Sequence, residues 1–328
     1  VSLSHKRLVK TTATRMTYDE GADVVRMEVT PGTSSLHPSP GQYYFLYQPF
    51  RLTGWESHPF TIGAWSFETG EQFSLTPASL GQLRKPSNVS HLPLLSASPS
   101  DQDSPAVVEE EYLGGEAQRR PKLIFWVRPY DGWTRSLRQQ CLSSPSLTTN
   151  AGILLEGPYG DTFPVWRYES VLIIVGGTGI ASAVPYIQDH LRRSAQDGEL
   201  DSLNEKTRVR DIELVWTAKH AAFIRNVSHR ELKPAFGRDD FSASFYITRD
   251  SVACTEDSNE IEIDIQSGRP HLQSLIMSRA ADACSAESSL AILVCGPPGM
   301  ADEARAATHL AMRQGYRSIH FVEESFTW

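Results

Sequence analysis

No stretch of this 328-residue chain stays apolar long enough to cross a bilayer. A spanning helix needs about 18 apolar residues or more, and the longest runs here are Val171–Val175 and Ala291–Cys295. The amino terminus carries no apolar segment of the kind that makes a secretory leader. Cysteine is scarce. Its four copies, Cys141, Cys254, Cys284 and Cys295, show no C-x-x-C spacing, which excludes a zinc knuckle and points to free thiols in a reducing compartment. An excess of positive charge is missing too: 31 basic against 39 acidic residues leave −8, which argues against a general nucleic-acid binder. No internal repeat is visible.

What is present suffices for two ordinary domains with cores of their own. Hydrophobic content of 40% with 21% charged residues reads as globular. Acid is concentrated between Asp101 and Glu116, whereas the first residues are basic (His5, Lys6, Arg7, Lys10, Arg15). The chain begins on Val1 rather than Met, so we expect a piece of a longer protein. The sequons at Asn88 and Asn226 read as chance matches.

The first half has the rhythm of β-structure. Arg7–Met16, Asp23–Thr30, Gln42–Gln48, Pro59–Ser66 and Lys122–Arg128 are rich in β-branched and aromatic residues, separated by Gly, Pro and Ser. Short strands without a long helix between them predict an antiparallel barrel or sandwich. Arg84–Pro121, rich in Ser, Pro, Asp and Glu, cannot bury enough apolar surface to offset its ordering entropy and reads as a disordered insertion. A short helix is expected near Trp133–Gln140. From Ser170 strands and helices alternate: strand Val171–Val175, helix Ile180–Arg193, strands Ile212–Ala218 and Ser244–Thr248, helix His271–Ala283, strand Ala291–Cys295, helix Pro298–Arg313 and strand Ser318–Glu323. That order is a doubly wound α/β domain. Pro185 inside the first of these helices predicts an irregular first turn. Ser194–Thr207 and Asp250–Asn259 read as surface insertions.

Several short motifs carry chemistry. His58-Pro59-Phe60-Thr61 offers an aromatic surface, a hydroxyl donor and a polar ring, with Pro59 fixing φ between them. A flavin needs such a set, although an edge strand with a His and a Pro is the plainer alternative. Gly176-Gly177-Thr178-Gly179-Ile180 stands where the first parallel strand hands over to a helix, so a pyrophosphate could approach backbone N–H groups. The third position of G-x-G-x-x-G is Ser182, so the usual fingerprint is not met. Cys295-Gly296-Pro297 ends a later strand at the carboxyl edge and leaves room for a flat ring. Gly157-Pro158-Tyr159-Gly160 falls at the junction of the halves, where a shared ligand would be gripped. Arg128 with Asp131-Gly132-Trp133-Thr134 opens the short helix and offers a second phosphate site. No metal site is expected.

Taken in order with Pro40-Gly41-Gln42-Tyr43, Ser267-Gly268-Arg269-Pro270 and the terminal Glu324-Ser325-Phe326-Thr327-Trp328, these motifs resemble one superfamily. It is the cytosolic dehydrogenase region of the ferric reductases and NADPH oxidases, most nearly the fungal-type ferric-chelate (metallo)reductases. The likeness spans the chain apart from its insertions. It implies a two-domain ferredoxin–NADP reductase-like fold: an antiparallel β-barrel FAD domain (1–160, with 84–121 inserted), then a doubly wound α/β NADPH domain (161–328). Phe60 would pack on the flavin, Thr61 would bond near its N5, and His58 beside Pro59 would contact its phosphate or ribityl region. Arg128, Gly132, Trp133 and Thr134 would hold the FAD pyrophosphate, and Gly177, Thr178 and Gly179 that of NADPH. Cys295, followed by Gly296 and Pro297, would sit by the nicotinamide. Trp328, or else Phe326, would cover the ring. Lys219 stands where the family often has Arg for the 2′-phosphate, with Arg249 and Arg269 as further candidates. Lys lacks the bidentate fork, which softens the preference for NADPH.

The activity implied is hydride transfer from NADPH to FAD, with Thr61, Cys295 and Trp328 at the reacting centre. In such proteins single electrons pass to b-type haems in a membrane domain of the same polypeptide, then to ferric or cupric chelates. The chain would therefore lie on the cytosolic face of the plasma membrane, its basic start beside the bilayer. Two rival expectations stand beside this one: a superoxide-producing NADPH oxidase, and a flavoprotein fold kept only as a regulatory module.

Overall fold

A computed structural model describes residues 8–9, 12–32, 36–48, 57–68, 120–195, 206–249 and 263–324. The first half is built of antiparallel strands Leu8–Val9 (β1), Thr12–Asp19 (β2), Val24–Pro31 (β3), Tyr43–Tyr47 (β4), His58–Thr61 (β5), Ala64–Glu68 (β6), Arg120–Val127 (β7), Thr148–Ala151 (β8) and Leu154–Tyr159 (β9). They form two sheets, ordered β1-β9-β4-β5 and β6-β7-β3-β2-β8. Period-two burial drives them: Met16, Tyr18, Val25, Met27 and Val29 face inward to meet Tyr44, Leu46, Leu123 and Phe125. The helix Gly132–Leu142 (α1) adds Trp133, Leu137 and Cys141 to the same core.

Where the strands divide differs from the sequence expectation. The run Arg7–Met16 supplies two strands in different sheets, because β1 pairs with β9 while β2 pairs with β3 and β8. Pro59–Ser66 likewise breaks at Ile62-Gly63. Ile62 N–H donates to the Gln42 carbonyl (3.0 Å) in one sheet, and Gly63 N–H to the Ile124 carbonyl (2.8 Å) in the other. Only glycine permits this crossing, since a Cβ at Gly63 would lie 2.6 Å from the Trp126 ring. β8 and β9 were not foreseen, being polar or interrupted by Gly157-Pro158. The proposed insertion is also too long by its last residues: Arg120 and Pro121 already belong to β7, while 84–119 lies outside the described residues.

The second half is a sheet of parallel strands in the order β13-β12-β11-β10-β14-β15. They are Ser170–Gly176 (β10), Asp211–Ala218 (β11), Phe241–Ile247 (β12), Ile265–Ser267 (β13), Leu290–Cys295 (β14) and Ile319–Glu323 (β15), joined through Ile180–Ala195 (α2), Ala221–Val227 (α3), Leu272–Ser285 (α4) and Pro298–Arg313 (α5). Val171 to Val175 are buried without alternation because both faces are covered. Ile173 and Val175 meet α2, whereas Leu172 and Ile174 meet α4 and α5. A 3₁₀ turn over Gly177–Gly179 leads into α2, so the irregularity expected from Pro185 precedes the helix, and Pro185 itself is buried within it. α3, the π-turn Ser228–Leu232 after it, and β13 were not foreseen. Of the two polar stretches read as insertions, 196–205 of Ser194–Thr207 and all of Asp250–Asn259 lie outside the described residues.

The halves share a core rather than merely touching. Ala64, Ile124 and Trp126 belong to the same buried cluster as β10, β11, α2 and α3. Trp126 meets Phe223 edge-on (centroids 6.2 Å apart), and Arg26 of β3 pairs with the buried Glu231 carboxylate at 2.7 Å. Asn226 donates to Asp19, which gives the residue of the second sequon a structural role.

Candidate active site

The tetrad His58–Thr61 is strand β5, which among the described residues pairs only with β4 and so stands at the edge of its sheet. The Ile62-to-Gln42 bond sets the phase of the antiparallel ladder. By alternation the polar groups of His58 and Phe60 face β4, and those of Pro59 and Thr61 face outward. Proline at an outward position forfeits no ladder bond. The Thr61 N–H is then the tetrad's outward backbone donor. Side chains alternate too, so His58 and Phe60 lie on one face and Thr61 on the other.

Trp133 joins this strand to α1. Its ring lies parallel to His58 (centroids 5.3 Å, interplanar 6°) and tilted against Phe60 (5.8 Å). Two motifs far apart in sequence thus become one surface. At the start of α1, Gly132 has φ +52°, a conformation that favours glycine, and Asp131 caps its N–H at 2.8 Å. Thr134 Oγ1 bridges Tyr130 N–H and the Asp131 carbonyl. Trp133 itself is buried, and its indole N–H donates to Gln48. Its part is to support the surface, not to reach a phosphate through its own polar atom. Gly157 is also taken up by protein: a Cβ there would lie 2.7 Å from the Tyr44 ring.

In the parallel sheet the strand order reverses direction between β10 and β14, and such a switch point opens a crevice at the carboxyl ends. The structure brings the Gly176–Gly179 loop and Cys295-Gly296-Pro297 together there. A Cβ on Gly179 would stand 2.5 Å from the Cys295 carbonyl oxygen, and one on Gly176 would stand 2.7 Å from Pro297 Cδ. These glycines, with Gly296 against Met300, let the two loops pack on each other. Gly177 differs: it has φ +56° and open space where a side chain would be, with its carbonyl held by Trp216 Nε1 at 3.0 Å. It is the open position of the loop, the one where a phosphate can approach.

Lys219 follows directly on β11, and Arg249 and Arg269 come two residues after β12 and β13, at that same carboxyl edge. Burial, then Arg128 and Arg249, lower the Lys219 pKa, with Asp23 opposing them. The charge of Arg128, from the first half, therefore reaches Lys219 in the second, and its guanidinium lies over the Tyr130 ring at 5.1 Å. Beside this row Thr217 is buried with its hydroxyl unpartnered. Open space at Gly177, an orphaned hydroxyl and converging cations fit a phosphorylated dinucleotide.

Glu324 was read only as part of a terminal motif, yet it is the most perturbed carboxylate at the site. It follows β15, its Oε1 accepts from Tyr186 Oη (3.1 Å), and its Oε2 is buried without a partner. Burial pushes its pKa up to about 7, against the Tyr186 hydrogen bond. Burial also pushes the Cys295 thiol up to about 11, so the sulfur stays protonated. A lone carboxylate in this terminal motif carries no spacing signal of its burial. Trp328 and Phe326 lie outside the described residues.

Comparison with known proteins bears on this arrangement. A model described as the FAD-binding domain matches residues 8–110, and the ferric reductase NAD binding domain matches 168–309. The chain joins an FAD-binding domain to a ferric reductase NAD-binding domain. "Ferric reductase transmembrane component 6" of Saccharomyces cerevisiae is 22% identical over 310 residues, covering 89% of this chain and 34% of that protein. "Ferric/cupric reductase transmembrane component 2" of the same yeast is 22% identical over 327 residues, covering 94% and 38%. The chain thus spans little more than a third of these relatives. Among solved structures, a ferredoxin NADP+ reductase from Neisseria gonorrhoeae with bound FAD and NADP is similar with TM-score 0.52 and 12% identity, over 95% of this chain and 98% of that one. The CS-b5R domains of human Ncb5or give TM-score 0.52 and 14% identity, over 97% and 70%. These likenesses bear out the ferredoxin–NADP reductase-like fold: a β-sheet FAD-binding domain, then a parallel α/β NAD-binding domain. Among the described residues no helix is long and apolar enough to cross a membrane, whereas the yeast relatives are named as transmembrane components.

Proposed function

We propose that this chain is the electron-input part of a longer ferric reductase, drawing on NADPH through FAD and serving a membrane-embedded haem domain of the same polypeptide. The observation that carries this reading is the single carboxyl edge on which the Gly177 loop, Cys295 and the cations Lys219, Arg249 and Arg269 meet. Bound FAD accepts a hydride from a nicotinamide and releases electrons singly. The chain's own residues bind and align. Thr61 offers an outward N–H and a hydroxyl at the strand edge, and Phe60 and His58 present an aromatic face propped by Trp133. Cys295 contributes a neutral, polarizable thiol beside the nicotinamide. Ferric or cupric chelates are the proposed final acceptors, and the cytosolic face of the membrane the proposed location. Trp328 would cover the flavin ring.

The test is direct. Purified chain given FAD should take up a bound-flavin absorbance spectrum and then reduce an artificial dye with NADPH. Absence of both would defeat the reading. Lys219→Glu places a negative charge in the cation row, and kcat/KM for NADPH should fall by about tenfold or more while that for NADH changes little. An equal fall for both nucleotides would show that Lys219 does not meet the 2′-phosphate.

A further inference from the structure

Gln48, one residue beyond β4, belongs to none of the sequence motifs, yet it is only 8% exposed and its amide is bonded through both its oxygen and its nitrogen. Its Oε1 accepts from Trp133 Nε1 (3.2 Å) and from Gln140 Nε2 (3.3 Å), and its own Nε2 donates to Gln140 Oε1 (2.9 Å). Trp133 and Gln140 are seven residues apart and so on one face of α1. One amide therefore sets both the rotation and the height of that helix against the end of β4. The indole nitrogen can only donate, so Gln48 must turn its oxygen toward it. The ring so held lies parallel to His58 and against Phe60.

We propose that Gln48 is a positioning residue of the flavin site, acting through Trp133 on His58 and on the start of α1. This rests on the reading that His58 and the amino end of α1 contact FAD. A buried apolar residue in its place strands the Trp133 N–H, which is costlier than losing the bond itself. The indole then turns to find another acceptor, and the parallel stack on His58 goes with it. Gln48 thereby tunes the site without touching a ligand.

The experiment compares wild type, Gln48→Leu, Trp133→Phe and the double variant in the 328-residue chain stripped of flavin. FAD affinity is read from quenching of flavin fluorescence, and site geometry from visible circular dichroism of the bound flavin. Gln48→Leu should weaken FAD about tenfold and alter the dichroic bands. Trp133→Phe, which keeps a ring but drops the N–H, should do the same. The double variant should be no worse than Gln48→Leu alone, because both substitutions remove the Trp133–Gln48 bond. Multiplying effects in the double variant would overturn the proposal. So would a Gln48→Leu chain that melts earlier yet binds FAD with wild-type affinity and dichroism, since that is a structural role alone. Should Gln48→Leu not fold, wild-type affinity and bands in Trp133→Phe would overturn it equally. A wild type that binds no FAD would instead defeat the functional reading.

Discussion

Replacing Gly179 by alanine should lower kcat/KM for NADPH by about 100-fold or more while the flavin remains bound. The added Cβ would stand 2.5 Å from the Cys295 carbonyl oxygen and 3.1 Å from both its carbon and its sulfur. Two of these neighbours are backbone, so no side chain can swing aside. The loops ending β10 and β14 must part at the switch point, where the proposed function needs the thiol and the glycine loop aligned together. Overpacking of this kind costs about 1–3 kcal/mol of stability, and a shift near 1 Å in alignment costs about 100-fold in rate. Flavin content is measured by absorbance and turnover by dye reduction. Gly299→Ala, which meets nothing within 4 Å, is the control. Near-normal turnover by the Gly179→Ala chain would mean that the close packing of these loops is dispensable.

The second large effect belongs to Glu324, and it is a dependence of stability on pH. Its carboxyl titrates at about 7 in the folded chain against an ordinary 4.5, chiefly through burial. The folded state therefore holds this proton more tightly than the unfolded state. The stabilisation is fully present below pH 4.5 and is lost as pH rises through 7. The difference of about 2.5 units corresponds to about 3 kcal/mol. Glu324→Gln mimics the neutral acid and keeps an acceptor for Tyr186. It should be more stable than wild type at pH 8 by up to that amount, and comparable at pH 4.5. Urea midpoints at the two pH values measure the difference, with the other titrating groups cancelling between the variants. Parallel pH profiles would show that the carboxyl is solvated after all.

Legibility followed the range of the forces involved. The buried parallel strands were plain because Val171–Val175 and Ala291–Cys295 are apolar throughout, and helix α5 was read with its bounds intact. The crossing at Ile62-Gly63 was not, since it depends on the Trp126 ring more than sixty residues away. The glycines of the nucleotide loop were identified as a group, but their division of labour was hidden. Gly176 and Gly179 face the other loop and Gly177 faces open space, a distinction made only by β14 lying beside β10. Gln48 gave no local signal at all. Its partners come from a helix whose register against β4 no spacing announces.

By itself the sequence determined what was local: which runs are apolar, where the backbone can turn, and which short motifs carry an aromatic, a thiol or a run of glycines. Periodicity and backbone sterics act over a few residues, so they can be read in order along the chain. Only the tertiary structure decided what stands beside what. It set Trp133 on His58, Cys295 on Gly179, Lys219 within the field of Arg128, and one oxygen of Glu324 away from water. Packing and desolvation depend on neighbours distant in sequence, and a carboxylate's pKa or a tryptophan's hydrogen bond exists only once those neighbours have closed around it.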